Sequence, residues 1–246
     1  VCTGIEPDGF NINREGGSTH PDAICDLVRE CGADVGMAFD GDADRVVLVD
    51  KQGRLVDGDG ILFVLSQYRY QSGDCKGLVG TLMTNLGVEV ACQQKGIEFV
   101  RANVGDRFVL EELLARNWTL GGETSGHILS LDRSTTGDGL VAALAVLEVM
   151  QVADSSLADL VEGLQIFPQE LINVSVDHSN PSELLTDPRI CESVSSCERQ
   201  LDARGRVVLR ASGTEPVIRV MVEGEDATSV SKLARSLADE IVSAAG

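Results

Sequence analysis

Residues 34–50 read DVGMAFDGDADRVVLVD. Apolar residues crowd both ends of this stretch, and Asp40, Asp42 and Asp44 stand two apart in its middle. The flanks predict strands over 34–39 and 45–50, and the acidic stretch becomes the loop that joins them. Three carboxylates on so short a loop repel one another, so the array is costly without a cation. Oxygen-only ligands suit a hard cation such as Mg²⁺. Gly41 and Ala43 keep the loop compact, and Arg45 follows where it could hold an anion beside the metal. An EF-hand also begins with alternating aspartates, but its Gly and Glu positions hold Arg45 and Lys51 here, so that motif is rejected. A solvated Asp-rich turn is the plain alternative, and the strict spacing between apolar flanks argues against it.

Outward from this loop, short β-branched runs alternate with amphipathic stretches, the pattern of α/β units. Upstream, Thr19 is the expected N-cap of a helix that carries Ala23, Ile24, Leu27, Val28 and Cys31 on one stripe. Downstream, helices are predicted over 59–71, 86–95, 106–116 and 138–152, with strands over 77–83, 97–102, 118–122 and 127–131. The helix at 138–152 is almost wholly apolar and is expected to be buried on most sides. Composition shifts at 154–169, which reads as a short helix and a linker ending at Pro168. Beyond it come a strand (170–177), a polar stretch, a helix (189–201), strands over 206–211 and 216–223, and a final helix. These do not strictly alternate, so a small α+β domain with an antiparallel sheet is expected. The fold class is therefore multi-domain α/β with a small C-terminal α+β domain.

The chain has 246 residues, enough for one large domain or two to three small ones. Its formal charge of −19 repels nucleic-acid phosphates and anionic lipid, so neither is an expected partner. No run of 18 apolar residues occurs, which excludes a membrane-spanning helix. Seven cysteines, an odd number without a C-x-x-C pair, point to a reducing cytosol rather than disulfides or a thiolate metal site. No signal peptide is visible, and a cytoplasmic location is expected. The chain opens on Val1, in what reads as a strand, the expectation for a piece of a longer protein.

Two further loops carry polar constellations. GGETSGH at 121–127 lies between two predicted strands. Glu123 and Ser125 can hydrogen-bond neighbouring hydroxyls of a sugar, and the glycines permit close backbone approach. Taken alone, the segment reads more readily as a polar hairpin turn, and His127 more readily as a structural histidine. RASGTEPVIR at 210–219 joins the two strands of the last domain. Arg210 and Arg219 flank Ser212, Gly213 and Thr214, giving two guanidinium forks, two hydroxyls and a glycine-permitted turn for an anion. A hairpin turn with surface arginines is the plain alternative. The P-loop pattern is absent.

In this order and spacing, FDGDADR, GETSGH and RASGTEPVIRVMVEG resemble the metal, sugar-specificity and phosphate loops of the α-D-phosphohexomutase superfamily, along essentially the whole chain. GGSTHP at 16–21 and NVGDRFV at 103–109 resemble its glucosamine-phosphate branch. The resemblance implies a four-domain fold around one cleft. Residues 1–50 would end domain two, 51–160 would form domain three, and 167–246 domain four. It implies that Asp40, Asp42 and Asp44 hold one Mg²⁺, that Arg45 assists catalysis, and that Glu123, Ser125, His127, Arg210, Ser212, Gly213, Thr214 and Arg219 bind a sugar phosphate. It further implies isomerisation of glucosamine 6-phosphate and glucosamine 1-phosphate through a phosphoserine and a hexosamine bisphosphate, and leaves homodimerisation open. The nucleophilic serine belongs to a Ser-His-Asn-Pro segment of domain one. Residues 178–181 read His-Ser-Asn-Pro, the wrong order, and are expected to form only a turn. A phosphomannomutase/phosphoglucomutase, a non-catalytic sugar-phosphate-binding module and a phosphatase with Asp40 as nucleophile remain as alternatives.

Overall fold

A computed structural model describes residues 1–14, 16–176, 180–202, 204–212 and 215–245. The chain divides into two units, residues 1–165 and 166–246. In the first, helix α1 (Asp22–Cys31) lies on an antiparallel sheet ordered β1 (Val35–Phe39), β2 (Val46–Asp50) and β3 (Leu55–Val56). Every residue of β2 is buried, because α1 and a later helix pack against this sheet. Residues 1–14 hold no regular element, so the strand expected at Val1 is not formed.

A second sheet has the order β5 (Glu98–Ala102), β4 (Gly77–Thr81), β6 (Leu120–Gly122), β7 (Ile128–Ser130). The first three strands run parallel, and β7 returns antiparallel to β6. Helices α2 (Gly58–Ser72), α3 (Leu86–Lys95) and α5 (Gly139–Ala153) contribute to a large apolar core with Leu78 and Leu120. Helix α4 (Asp106–Arg116) builds a separate cluster from Val109 and Leu113 with Val79, Trp118 and Leu129. The helix starts follow from local chemistry. Asp57, Asn85 and Asp138 cap α2, α3 and α5 by accepting from first-turn N–H groups. These three caps put the helix N-termini where the parallel strands end, the edge on which α/β folds bind ligands.

Two expectations fail here. Thr19 does not cap α1: its Oγ1 lies 3.1 Å from His20 Nδ1, and Pro21 precedes the helix without a side-chain cap. The turn at 17–20 is instead tied to the end of β1, where Ser18 N–H donates to the Phe39 carbonyl. Helix α5 is not buried on most sides, since Leu140 and Leu144 are each 54% exposed and Val152 is 64% exposed. Its buried stripe is made of Ala142, Ala143, Ala145, Val146 and Val149, and small residues suffice to pack it closely against α2.

The short helix α6 (Leu157–Val161) closes the first unit. The second unit is an antiparallel sheet ordered β8 (Gln169–Ser175), β10 (Val217–Gly224), β9 (Gly205–Ala211). Helices α8 (Pro188–Leu201) and α9 (Ala227–Ala245) pack on it, after a single helical turn α7 (Pro181–Leu184). The expected stripe of α9 is buried from Val230 to Ile241, while Val242 is exposed. Of the out-of-order segment at 178–181, His178 and Ser179 lie outside the described residues. Asn180 caps α7, so the expected turn is a short helix there.

Candidate functional site

The acidic loop joins β1 to β2. Ala43 takes a left-handed conformation (φ 59°), and its N–H donates to the Asp40 carbonyl. The first residue of α5 holds the loop from behind, Gly139 N–H donating to the Ala43 carbonyl at 2.9 Å. A Cβ at Gly139 would come within 2.7 Å of the Arg45 carbonyl oxygen, so this approach requires glycine. Asp40 Oδ1 accepts from Arg45 N–H at 3.1 Å.

With the loop so fixed, one carboxylate oxygen from each of Asp40, Asp42 and Asp44 lies within 4.8 Å of the others. Burial, and then the adjacent Asp40 carboxyl, push the Asp44 carboxyl above its ordinary value. Arg45 Nε stands 3.9 Å from Asp40 and 4.0 Å from Asp44, too far for a hydrogen bond. Asp44 Oδ1 is buried with no hydrogen-bond partner among the described residues. A buried, unpaired carboxylate oxygen beside two further carboxylates is a donor set that fits a hard divalent cation.

The glycine-rich loop is the turn between β6 and β7. Glu123 N–H donates to the His127 carbonyl, and Gly126 N–H to the Glu123 carbonyl, both at 3.0 Å. Gly126 has φ 93°; its N–H closes the turn, while its carbonyl accepts from Val46 N–H of β2 at 3.1 Å. Together with a backbone bridge between Arg45 and His127, this contact sets the glycine-rich loop directly beside the acidic loop. Glu123 Oε1 accepts from Gly105 N–H at 2.9 Å, and Ser125 is exposed. The NVGDRFV segment thus reaches the site through its backbone. Arg107 points to solvent and pairs with Glu111 at 2.8 Å.

Sequence reasoning missed Asp59. This residue of the first turn of α2 is 2% exposed, and accepts from Thr124 Oγ1 at 2.9 Å and from Asn85 N–H at 2.8 Å. Gly58 N–H donates to the Thr124 carbonyl at 3.1 Å. The start of α2 therefore grips the middle of the glycine-rich loop. The signal was present in an aspartate at the second position of a capped helix, where an acid would otherwise be read only as complementing the helix dipole.

In the second unit, Arg210 on β9 and Arg219 on β10 are directly opposite each other. Both Nε atoms are buried without a hydrogen-bond partner among the described residues. Burial, and then the facing Arg219, hold the Arg210 guanidinium below its ordinary value. Two guanidinium groups so placed lower their mutual repulsion by sharing an anion. Ser212 Oγ accepts from Glu215 N–H at 3.3 Å, whereas Gly213 and Thr214 lie outside the described residues.

Comparison with known proteins agrees with this division. Residues 57–167 match the family model for the phosphoglucomutase/phosphomannomutase alpha/beta/alpha domain III, and residues 171–240 that for the C-terminal domain. A phosphoglucosamine mutase of Halorhodospira halophila is 52% identical over 246 residues, covering 100% of this chain and 54% of the relative. One from Legionella pneumophila is 49% identical over 242 residues, covering 98% and 53%. The chain thus spans about half the length of the curated relatives it matches. Among solved structures, an Aspergillus fumigatus N-acetylphosphoglucosamine mutase in complex with GlcNAc-6P and magnesium superposes with TM-score 0.75 at 21% identity, over 96% of this chain and 58% of that one. A phosphoglucomutase/phosphomannomutase family protein of Burkholderia thailandensis superposes with TM-score 0.73 at 20% identity, over 93% and 51%. At such identities the structures speak to the fold alone, but the two domain models run in order along most of the sequence, and the chain belongs to the phosphoglucomutase/phosphomannomutase family of α-D-phosphohexomutases.

Proposed function

We propose that the chain is the metal-, sugar- and phosphate-binding part of a phosphoglucosamine mutase, interconverting glucosamine 6-phosphate and glucosamine 1-phosphate. The observation that supports this reading is the Arg45–His127 bridge, which brings the acidic loop and the glycine-rich loop side by side. Relatives at about half identity carry that enzyme's name. In this reading residues 1–50 end a second domain, 51–160 form the third and 167–246 the fourth.

Asp40, Asp42 and Asp44 would hold Mg²⁺, which supplies positive charge to a phosphoryl group in transfer. Arg45 faces the same phosphoryl oxygens; its Nε is buried without a hydrogen-bond partner among the described residues, within 4.0 Å of the Asp40 and Asp44 carboxylates. Glu123 accepts from a sugar hydroxyl through Oε2, the oxygen that Gly105 does not bind and that Ser125 Oγ reaches at 3.5 Å, and Ser125 binds the neighbouring hydroxyl. Arg210, Ser212, Gly213, Thr214 and Arg219 hold the phosphate that is not reacting, which places the sugar for chemistry at its other end. A phosphoserine outside this chain donates its phosphoryl group to the sugar. The resulting hexosamine bisphosphate reorients and returns its other phosphate to the serine. Partners are then small sugar phosphates, and the place of action is the cytoplasm. The test is turnover by the full-length protein: glucosamine phosphates should be interconverted, and equal or better turnover of mannose or glucose phosphates would overturn the assignment of branch.

A further inference from the structure

Thr124 stands between Glu123 and Ser125, and its hydroxyl and carbonyl both turn back into the fold. Oγ1 donates to Asp59 Oδ1 at 2.9 Å, and the carbonyl accepts from Gly58 N–H at 3.1 Å. Asp59 is buried, and its other oxygen accepts from Asn85 N–H at 2.8 Å. Asn85 is the N-cap of α3, accepting in turn from Gly87 N–H at 2.9 Å. One buried carboxylate therefore ties the glycine-rich loop to the starts of two helices. Capping does not account for Asp59, because Asp57 already accepts from the first N–H groups of α2, those of Asp59 and Gly60. Gly58 makes the approach possible: a Cβ there would overlap the Glu123 carbonyl oxygen and come within 2.7 Å of Gly126 N. The side chains beside Thr124 stay available. Ser125 is exposed, and Glu123 binds Gly105 N–H through Oε1 while Oε2 lies 3.5 Å from Ser125 Oγ.

We propose that Asp59 is a positioning residue for substrate binding, acting through Thr124. A threonine held at both its hydroxyl and its carbonyl fixes the backbone on either side. Glu123 and Ser125 are then presented at a set spacing before a sugar arrives. Contacts organised in advance spare the ordering cost that binding would otherwise carry. At 2% exposure Asp59 itself offers no surface to a ligand, so its effect passes through the residues it holds. Loss of the Thr124 hydroxyl should accordingly weaken substrate binding rather than slow the chemistry. This inference rests on reading Glu123 and Ser125 as the sugar contacts.

The experiment measures kcat and KM in the full-length protein, with Mg²⁺, on whichever hexose phosphate wild type turns over best. Thr124→Val keeps the shape and removes the hydroxyl, and Thr124→Ser keeps the hydroxyl. In Asp59→Asn the amide can accept from Asn85 N–H and donate to the Thr124 hydroxyl, which serves as donor or acceptor. The expected result is a KM about tenfold higher in Thr124→Val with kcat within about twofold, and a KM near that of wild type in Thr124→Ser and Asp59→Asn. The increase should shrink when Thr124→Val is made on a Glu123→Gln or Ser125→Ala background, because less remains to be positioned. An unchanged KM in Thr124→Val overturns the inference, and so does a fall in kcat alone, which a smaller folded fraction would give. A loss in Thr124→Ser or Asp59→Asn as large as in Thr124→Val, or an increase fully additive on both backgrounds, also overturns it. Failure of wild type to turn over any hexose phosphate overturns the reading of the loop as a sugar site, and the inference with it.

Discussion

Replacing Arg210 by methionine should move the stability of the second unit in opposite directions with and without an anion. Arg210 and Arg219 are directly opposite across β9 and β10, on one face of the sheet. Facing like charges on adjacent strands cost about 0.2–1 kcal/mol. Arg210→Met keeps an unbranched apolar stem and removes the repulsion, so without anion the unit should gain about 0.5 kcal/mol. For a unit of roughly 80 residues that raises Tm by about 2–4 °C. With phosphate at a hundred times its dissociation constant, wild type should gain about 2.7 kcal/mol by mass action, and the variant much less. The stability order therefore reverses as phosphate is added. Trp118, the single tryptophan, is in the first unit and cannot report this. Amide NMR signals of Val220 and Val222 on β10, followed through thermal unfolding with and without phosphate, would do so. A variant that is less stable without phosphate, or stabilised by phosphate as much as wild type, refutes the shared-anion argument.

Gly126→Ala should cost the first unit more than about 3 kcal/mol. It adds the strain of a left-handed φ to an overlap of the new Cβ with the Val46 carbonyl, while Gly163→Ala, whose Cβ meets only Phe63 at 3.5 Å, should stay within about 0.5 kcal/mol; Trp118 fluorescence in urea separates the two. Burial pushes the Cys92 thiol from its ordinary 9.0 up to about 12. The folded state then holds a proton that the unfolded chain releases, so this contribution is whole below pH 9 and falls as pH rises toward 12, by about 4 kcal/mol in all. Cys92→Ala should flatten that alkaline decline, and an unchanged slope in denaturant titrations from pH 8 to pH 11 would contradict it.

Helices such as α1 and α9 were legible because each buries a repeating apolar stripe, and strands such as β2 and β4 because they are short apolar runs buried throughout. The α3 sequence LGVEVACQQK, capped by Asn85 and stopped by Gly96, carries its boundaries in its composition. What escaped depends on partners far along the chain. Nothing near Thr19 says that the end of β1 holds its turn, and the composition of α5 does not reveal that Leu140 and Leu144 face outward. The two-residue strand β3 exists only because β2 offers an edge. The candidate site divides the same way. Its loops announce themselves by residue type, whereas the contact between His127 and Asp44 spans 83 positions and follows from the pairing of two sheets. The grip of Asp59 on Thr124 likewise needs α2 to start beneath the β6–β7 turn.

The central claim, a phosphohexomutase site selective for amino sugars, is tested most directly by turnover. The full-length protein should be assayed with Mg²⁺ on the 6-phosphates of glucosamine, mannose and glucose, with product 1-phosphate followed by ³¹P NMR. The account predicts glucosamine 1-phosphate as the preferred product, and turnover that collapses in Asp42→Asn. Preferred turnover of mannose or glucose phosphate would contradict the assigned sugar, and full activity of Asp42→Asn would contradict the assigned metal loop.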